Sequence, residues 1–219
     1  MKYLDVGDHA FASGPTFLRP DSFLAALSQT RRVRDAWHVR AVWRQFARGA
    51  RIGAKVRLGA AARLINRNVP EAAEIGDESV VRGILRLESG GRLAIGSSVY
   101  IGDGCILSVM DSIEIGAGTL LAHGVQVFDN DTHPIDAEER VTDFRKKLGY
   151  KLPKPIAIGH SPVRIGRRCW LGMNSIVLKG VTIGDDTIVA SGSVVVESLP
   201  SRAVAAGNPA RLVRMLDLG

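Results

Sequence analysis

The chain has 219 residues, 46% hydrophobic and 23% charged, which excludes a disordered chain and suits one sizeable domain or two small ones. No uncharged apolar run approaches the roughly 18 residues of a membrane span, and Cys105 and Cys169 alone make neither a disulfide framework nor a zinc cluster. The first residues, Met1 to Asp8, lack the cationic end and apolar stretch of a signal peptide, so a cytoplasmic protein is expected.

The net charge of +7 is local. Residues 31–51 hold seven arginines and one acid, Asp35, and the remainder carries 22 basic against 21 acidic residues. The basic character therefore belongs to one segment. With no recognition motif present, a nucleic-acid partner is not expected.

In chain order, residues 1–20 read as irregular, punctuated by Gly14-Pro15 and Pro20. Asp21 or Ser22 then reads as the N-cap of a helix running to about Arg48 and stopped by Gly49. Val39, Val42, Trp43 and Phe46 fall at i, i+3, i+4 and i+7, one apolar face, with Arg40, Arg44 and Arg48 on another. Such a helix in an N-terminal unit of residues 1–50 would cover the open end of a following repeat. Its basic face also offers peripheral contact with an anionic membrane surface through residues 21–48.

From residue 51 to 207 the pattern changes. Aliphatic residues recur every six positions at Ile165, Leu171, Val177, Ile183, Val189 and Val195, mostly followed by Gly or Ala. A small or β-branched residue stands four positions after each: Cys169, Ser175, Val181, Thr187, Ser193. The same register runs through Ile95, Ile101 and Leu107, then Ile115, Leu121 and Val127, with weaker turns at Ile52, Leu58, Leu64, Ile75, Val81 and Leu87. A period of six is neither helical nor open-ended alternation. It fits a short strand, a tight turn and another strand. Three such units make a triangular coil, and stacked coils bury a continuous aliphatic column. Cys105 and Cys169 fall on the small inward position and read as core filler. A polar loop over about 134–162 interrupts the repeat, and residues 208–219, including Asn208-Pro209-Ala210-Arg211-Leu212-Val213-Arg214, read as a short terminal helix.

The segment Val127-Phe128-Asp129-Asn130-Asp131-Thr132-His133-Pro134 lies where a coil gives way to that loop, so His133 is expected at the surface. Histidine exchanges a proton near neutrality and suits the general base that a weakly nucleophilic hydroxyl needs. His9, His38 and His160 show no partner pattern, and His123, ten residues from His133, has no third histidine with which to hold a metal.

Residues 52–214 resemble the hexapeptide-repeat acyltransferases. That resemblance implies a left-handed parallel β-helix, an all-β solenoid assembled as a homotrimer. The Asp/Asn-x-x-His-Pro stretch is similar to that of sugar O-acetyltransferases of the galactoside and maltose type and of polysaccharide O-acetyltransferases. It implies His133 as general base, with Asp131 and Asn130 orienting the ring or binding the acceptor; Arg140, in the polar loop, is a further candidate to bind the acceptor. Acetyl-CoA is the implied donor, with no metal required. The stretch from Ile165–Gly172 to Ala206–Arg211 resembles the coenzyme A side of the family. There Trp170 packs near the pantetheine arm, backbone groups around Gly172 and Ser191 bond its amides, and Arg211 and Arg214 lie near the nucleotide phosphates. One departure is Glu197, which stands where relatives carry a phosphate-facing lysine; Arg202 is the candidate to compensate.

The expected activity is acetyl-CoA-dependent O-acetylation of a sugar or polysaccharide-precursor hydroxyl by direct transfer. N-acylation of an amino sugar, free or nucleotide-linked, and a non-catalytic scaffold are the open alternatives.

Overall fold

The computed structural model describes residues 3–5, 17–18, 30–151 and 156–217. In it the hexapeptide units form a parallel β-solenoid with three faces. Two faces are six-stranded; the third has ten strands. The chain visits a six-stranded face, the ten-stranded face and the other six-stranded face in turn, as in Arg51–Ile52, Arg57–Gly59 and Arg63–Asn66.

The period of six becomes a register of inward columns. On the first face Ile52, Ile75, Ile95, Ile115, Ile165 and Ile183 stand in line. On the long face the column is Leu58, Val81, Ile101, Leu121, Leu171, Val189 and Ala205. The third runs Leu64, Leu85, Leu107, Val127, Val177 and Val195. Nearly all are fully buried in one core that extends from end to end.

The glycine after each first-face isoleucine has a steric cause. A Cβ on Gly76 would lie 2.5 Å from the carbonyl carbon of Gly96 in the next coil, and one on Gly116 would lie 2.6 Å from the nitrogen of Arg167. The following corner turns through a left-handed residue that is usually not glycine: Lys55, Glu78, Ser98, Arg168, Asp186 and Arg202 have φ of 53–60°. Each of these after Lys55 donates its N–H to a carbonyl in the preceding coil, as Ser98 does to Asp77 at 2.8 Å. The inter-coil bonds offset the steric cost of that conformation. Buried hydroxyls complete the corners: Thr119 Oγ1 donates to Gly166 O at 2.8 Å and accepts the N–H of Cys169 at 3.1 Å.

Helix α1 (Thr30–Gly49) closes the first coil. Val39, Val42 and Phe46 are buried, and Trp43 packs half-buried against the core. Arg40, Arg44 and Arg48 are exposed. The expected start at Asp21 or Ser22 lies outside the described residues. Strand Tyr3–Asp5 pairs antiparallel with Arg57–Gly59 and so extends the long face at this end. No helix among the described residues is long and apolar enough to cross a membrane.

Two expectations change. The segment read as a terminal helix is a strand, Ala210–Met215, which folds back antiparallel on Ala203–Gly207. The last rung of the long face, Ile188–Val189, pairs with Ala203–Gly207, and a hairpin continues the sheet with hydrogen bonds that an isolated helix would leave unmade on that edge. The interruption over 134–162 is not all loop either. It contains helix α2 (Ala137–Lys147), where Asp136 accepts the N–H of Glu139 at 2.9 Å as N-cap.

Charged forks tie successive coils at one corner. Arg167 grips Asp185 through Nε and Nη2 at 3.0 and 2.8 Å, and Arg168 grips Asp186 at 2.6 and 2.7 Å. The Arg167 N–H, then its guanidinium, hold the Asp185 carboxyl below the usual carboxylate range, and the Arg168 guanidinium does the same for Asp186. A depressed carboxyl adds stability above about pH 4 that is lost as pH falls through its folded value. Both pairs are exposed, so the increments are small. Thermal midpoints followed over pH should show a flatter acid limb in an Asp185→Asn/Asp186→Asn variant than in the parent. Truncation of the capping side chain, Phe46→Ala, should cost about 3–5 kcal/mol in denaturant unfolding.

Candidate active site

The candidate site begins where strand Gln126–Phe128 ends. Asp129 is fully buried, and its carboxylate accepts the N–H groups of Met110 and Asp111, both at 2.8 Å, capping the coil before. Asn130 donates to Ser108 O at 3.0 Å and to Asp129 at 2.9 Å, and accepts from Thr132 N at 3.0 Å. Asp131 takes Lys179 Nζ at 2.6 Å on Oδ1, while its N–H donates to Gly159 O at 2.9 Å. A Cβ on residue 159 would lie 2.4 Å from Asp131 Oδ2, so glycine there admits the carboxylate. Thr132 adopts φ 61°, and across it His133 N donates to Asp131 O at 2.7 Å in a γ-turn. The end of the insertion closes on its start: Ser161 N donates to Asp129 O at 2.8 Å, and Asn130 bridges His160.

This framework presents His133 with its ring half exposed. Its Nδ1 lies 2.9 Å from Asp143 Oδ2, and the Asp143 side chain is only 14% exposed. A carboxylate oxygen accepts hydrogen bonds, so pairing Nδ1 with it as the donor leaves Nε2 as the ring nitrogen that can take a proton. That is the geometry of an oriented general base.

The sequence pointed to Asp131 as the orienting group. The structure places Asp143 there, on the first turns of α2, and commits Asp131 to Lys179. Asp131 Oδ2 is buried without a hydrogen bond among the described residues. Asn130, read as an acceptor ligand, is buried with its amide engaged by the fold. Arg140, the other expected acceptor ligand, turns back to donate to the carbonyls of Pro134, at 3.1 Å, and Ile135. The signal for Asp143 was the Asp136-Ala137-Glu138-Glu139 start of a helix, which sets residues 140 and 143 one turn apart beside the loop's beginning.

His160 and His123 gain partners that spacing did not show, and His9 lies outside the described residues. His160 Nδ1 lies 3.1 Å from Asp111 Oδ2, next to the same corner. His123 Nδ1 stands 3.6 Å from Asp103, which is held chiefly by the buried Arg82 through Nε at 2.9 Å. Among the described residues no group of three His, Cys, Asp or Glu is placed to hold a metal ion.

The second set of candidate residues lies on the long face. Trp170 is 53% exposed between Leu120 and Ile188 on neighbouring rungs. Gly172 is buried, and a Cβ there would lie 2.5 Å from the nitrogen of Ser191, which is exposed on the next coil. Arg211 lies 3.5 Å from Glu197, so the acid that departs from the expected lysine becomes that arginine's partner. Arg214 and Arg202 are exposed. His133 follows a strand of a six-stranded face, whereas Trp170 belongs to the ten-stranded face, so the two sets occupy different sides of one prism. Both cysteines are buried and free, with Sγ against Ala122 O and Gly184 O. Burial pushes the Cys105 thiol up to about 11 and raises Cys169 as well, so neither is a nucleophile near neutrality.

Comparison with known proteins places this geometry. Residues 162–196 match the bacterial transferase hexapeptide (six repeats) family. Over 139 residues, 64% of this chain and 68% of the relative, the sequence is 35% identical to nodulation protein L of Rhizobium meliloti. It is 31% identical over 142 residues, 65% and 69% of the two chains, to Escherichia coli WcaF, provisionally named a colanic acid biosynthesis acetyltransferase. A provisionally named acetyltransferase of Saccharomyces cerevisiae is 34% identical over 55% of this chain, a match that spans 58% of that relative. The chain belongs to the hexapeptide-repeat transferase family, and two of these relatives carry provisional names as acetyltransferases. Its fold is shared with AntD, an N-acyltransferase from Bacillus cereus solved with dTDP and 3-hydroxybutyryl-CoA, at TM-score 0.61 and 20% identity over 77% of this chain and 85% of AntD. It is shared also with NeuO, a polySia specific acetyltransferase, at TM-score 0.59 and 24% identity over 76% and 66%.

The burial of Cys105 and Cys169 sets a chemical expectation. Neither thiol should react with Ellman's reagent in the native protein near pH 8, and both should react once it is unfolded.

Proposed function

We propose that the protein is an acetyl-CoA-dependent O-acetyltransferase acting on a sugar hydroxyl, within surface-polysaccharide assembly. The observation that carries this reading is the His133–Asp143 pair, a half-exposed imidazole whose Nδ1 is tied to a mostly buried carboxylate. His133 Nε2 takes the acceptor's hydroxyl proton while the oxygen bonds to the thioester carbonyl carbon. His133 then returns that proton to the sulfur as the carbon–sulfur bond breaks. With both thiols buried, transfer is direct. WcaF's provisional name as an acetyltransferase supports the class, and its colanic acid setting supports the polysaccharide reading.

The donor fits the long face. Trp170 supplies an exposed apolar surface for the pantetheine arm, the close stack of Gly172 under Ser191 leaves a shallow groove between coils, and Arg214 and Arg202 offer charge for phosphate. Because His133 and Trp170 lie on different sides of one prism, a groove shared by neighbouring subunits of a homotrimer is the arrangement that unites them. Contact of α1 with a membrane would rest on its exposed arginines and Trp37, since capping uses Val39, Val42 and Phe46.

The test is acetyl transfer from acetyl-CoA to a panel of sugars and amino sugars, read by release of free thiol. Transfer to hydroxyl acceptors is expected; transfer confined to amines would make this an N-acyltransferase, and no binding of acetyl-CoA would leave a scaffold. His133→Ala should lower kcat by about a thousandfold with acetyl-CoA affinity unchanged. Asp143→Asn should lower kcat about ten- to a hundredfold, and restoring a carboxylate as Glu should recover part of it.

A further inference from the structure

Helix α2 has two unlike sides. One is spent on the site: Asp143 faces His133, and Arg140 caps the carbonyls of Pro134 and Ile135. The other carries Val141, Phe144 and Leu148, at i, i+3 and i+7, each 56–61% exposed. Tyr150, 65% exposed, follows where Gly149 turns the chain through φ 89°. Large apolar side chains grouped this way on a helix cost solvation unless something covers them.

The charge around them indicates what does. The run from Phe144 to Lys151 reads Phe-Arg-Lys-Lys-Leu-Gly-Tyr-Lys, with four basic residues and no acid. Arg145, Lys146 and Lys151 are exposed beside the apolar group. Of the acids of this helix, Glu138 and Glu139 lie in the first turn, at the end away from Leu148 and the cations, and Asp143 faces the histidine. An exposed Phe, Leu and Tyr ringed by cations complements an anionic lipid interface, where rings and aliphatic chains enter the headgroup layer and cations meet lipid phosphates. The apolar face of α1, by contrast, is already buried in the solenoid.

We propose that the outer face of α2, centred on Phe144 and Leu148 with Arg145, Lys146 and Lys151, is a docking surface for an anionic lipid bilayer. The helix that orients His133 is thereby the one that meets the membrane, which places the base at the height of an acceptor sugar held on a lipid carrier. That last step rests on the acetyltransferase reading; the docking itself does not.

The experiment is flotation of the full-length protein with phosphatidylcholine vesicles made with and without phosphatidylglycerol, at low and high salt. The parent is expected to float only with the anionic vesicles and to be released by salt. Phe144→Ser/Leu148→Ser and Arg145→Gln/Lys146→Gln variants are each expected to bind at least about tenfold more weakly. Their acetyl-CoA affinity, by calorimetry, and oligomer mass, by light scattering, are expected to match the parent. Failure of the parent to float, or variants that float as it does, would overturn the proposal. A lower oligomer mass in Phe144→Ser/Leu148→Ser would also overturn it, by showing that a second copy of the chain covers this face. Absence of acetyl-CoA binding by the parent would instead strike the enzymatic reading and leave flotation to judge the surface.

Discussion

Everything in this molecule depends on one constraint: each coil must satisfy its backbone through the coils above and below it. A single coil has short two- to four-residue strands and no sheet of its own. Stacked in register, the strands bond to neighbours and the aliphatic residues line up into columns, so burial and hydrogen bonding reinforce the same alignment. A slip of one residue would turn the columns outward.

That constraint locates the site. An insertion can leave the solenoid only at a corner and must return without disturbing the ladder. The interruption after Phe128 does so: Ile113 to Ile115 still pair with Val163 to Ile165 as though nothing lay between. The two ends of the insertion are tied together by hydrogen bonds, with the buried Asp129 and Asn130 on one side and the backbone of Gly159 and Ser161 on the other. The rigidity required for stacking thereby becomes rigidity beneath His133, and α2 grows from a base that cannot drift.

The ends of the stack face the opposite problem, an unpaired rung and an open core. At the first end α1 covers the aliphatic column with Val42 and Phe46, and a short strand borders the long face. At the last, the hairpin of Ala203–Gly207 and Ala210–Met215 extends the long face instead. Helix and hairpin answer different needs, one covering side chains and the other continuing a backbone ladder.

The repeat was legible before any coordinates because periodicity encodes burial locally: a six-residue spacing of Ile, Leu and Val states which side chains point inward, wherever the coil lies. The capping face of α1 was legible for the same reason, as was the exposure of His133 at a break in the pattern. The partners of individual polar groups were not. Asp131 stands nearer His133 in the chain than Asp143, yet Lys179, 48 residues on, claims it, and α2 brings Asp143 into its place. Asn130 and Arg140 looked available for an acceptor and are consumed by the fold. The C-terminal segment took a strand because an open sheet edge outweighed its local preference. Short-range pattern determined the solenoid and where it is interrupted, at the insertion after Phe128. Tertiary structure alone decided which carboxylate stands against His133, since hydrogen bonds are chosen by proximity in space and not along the chain.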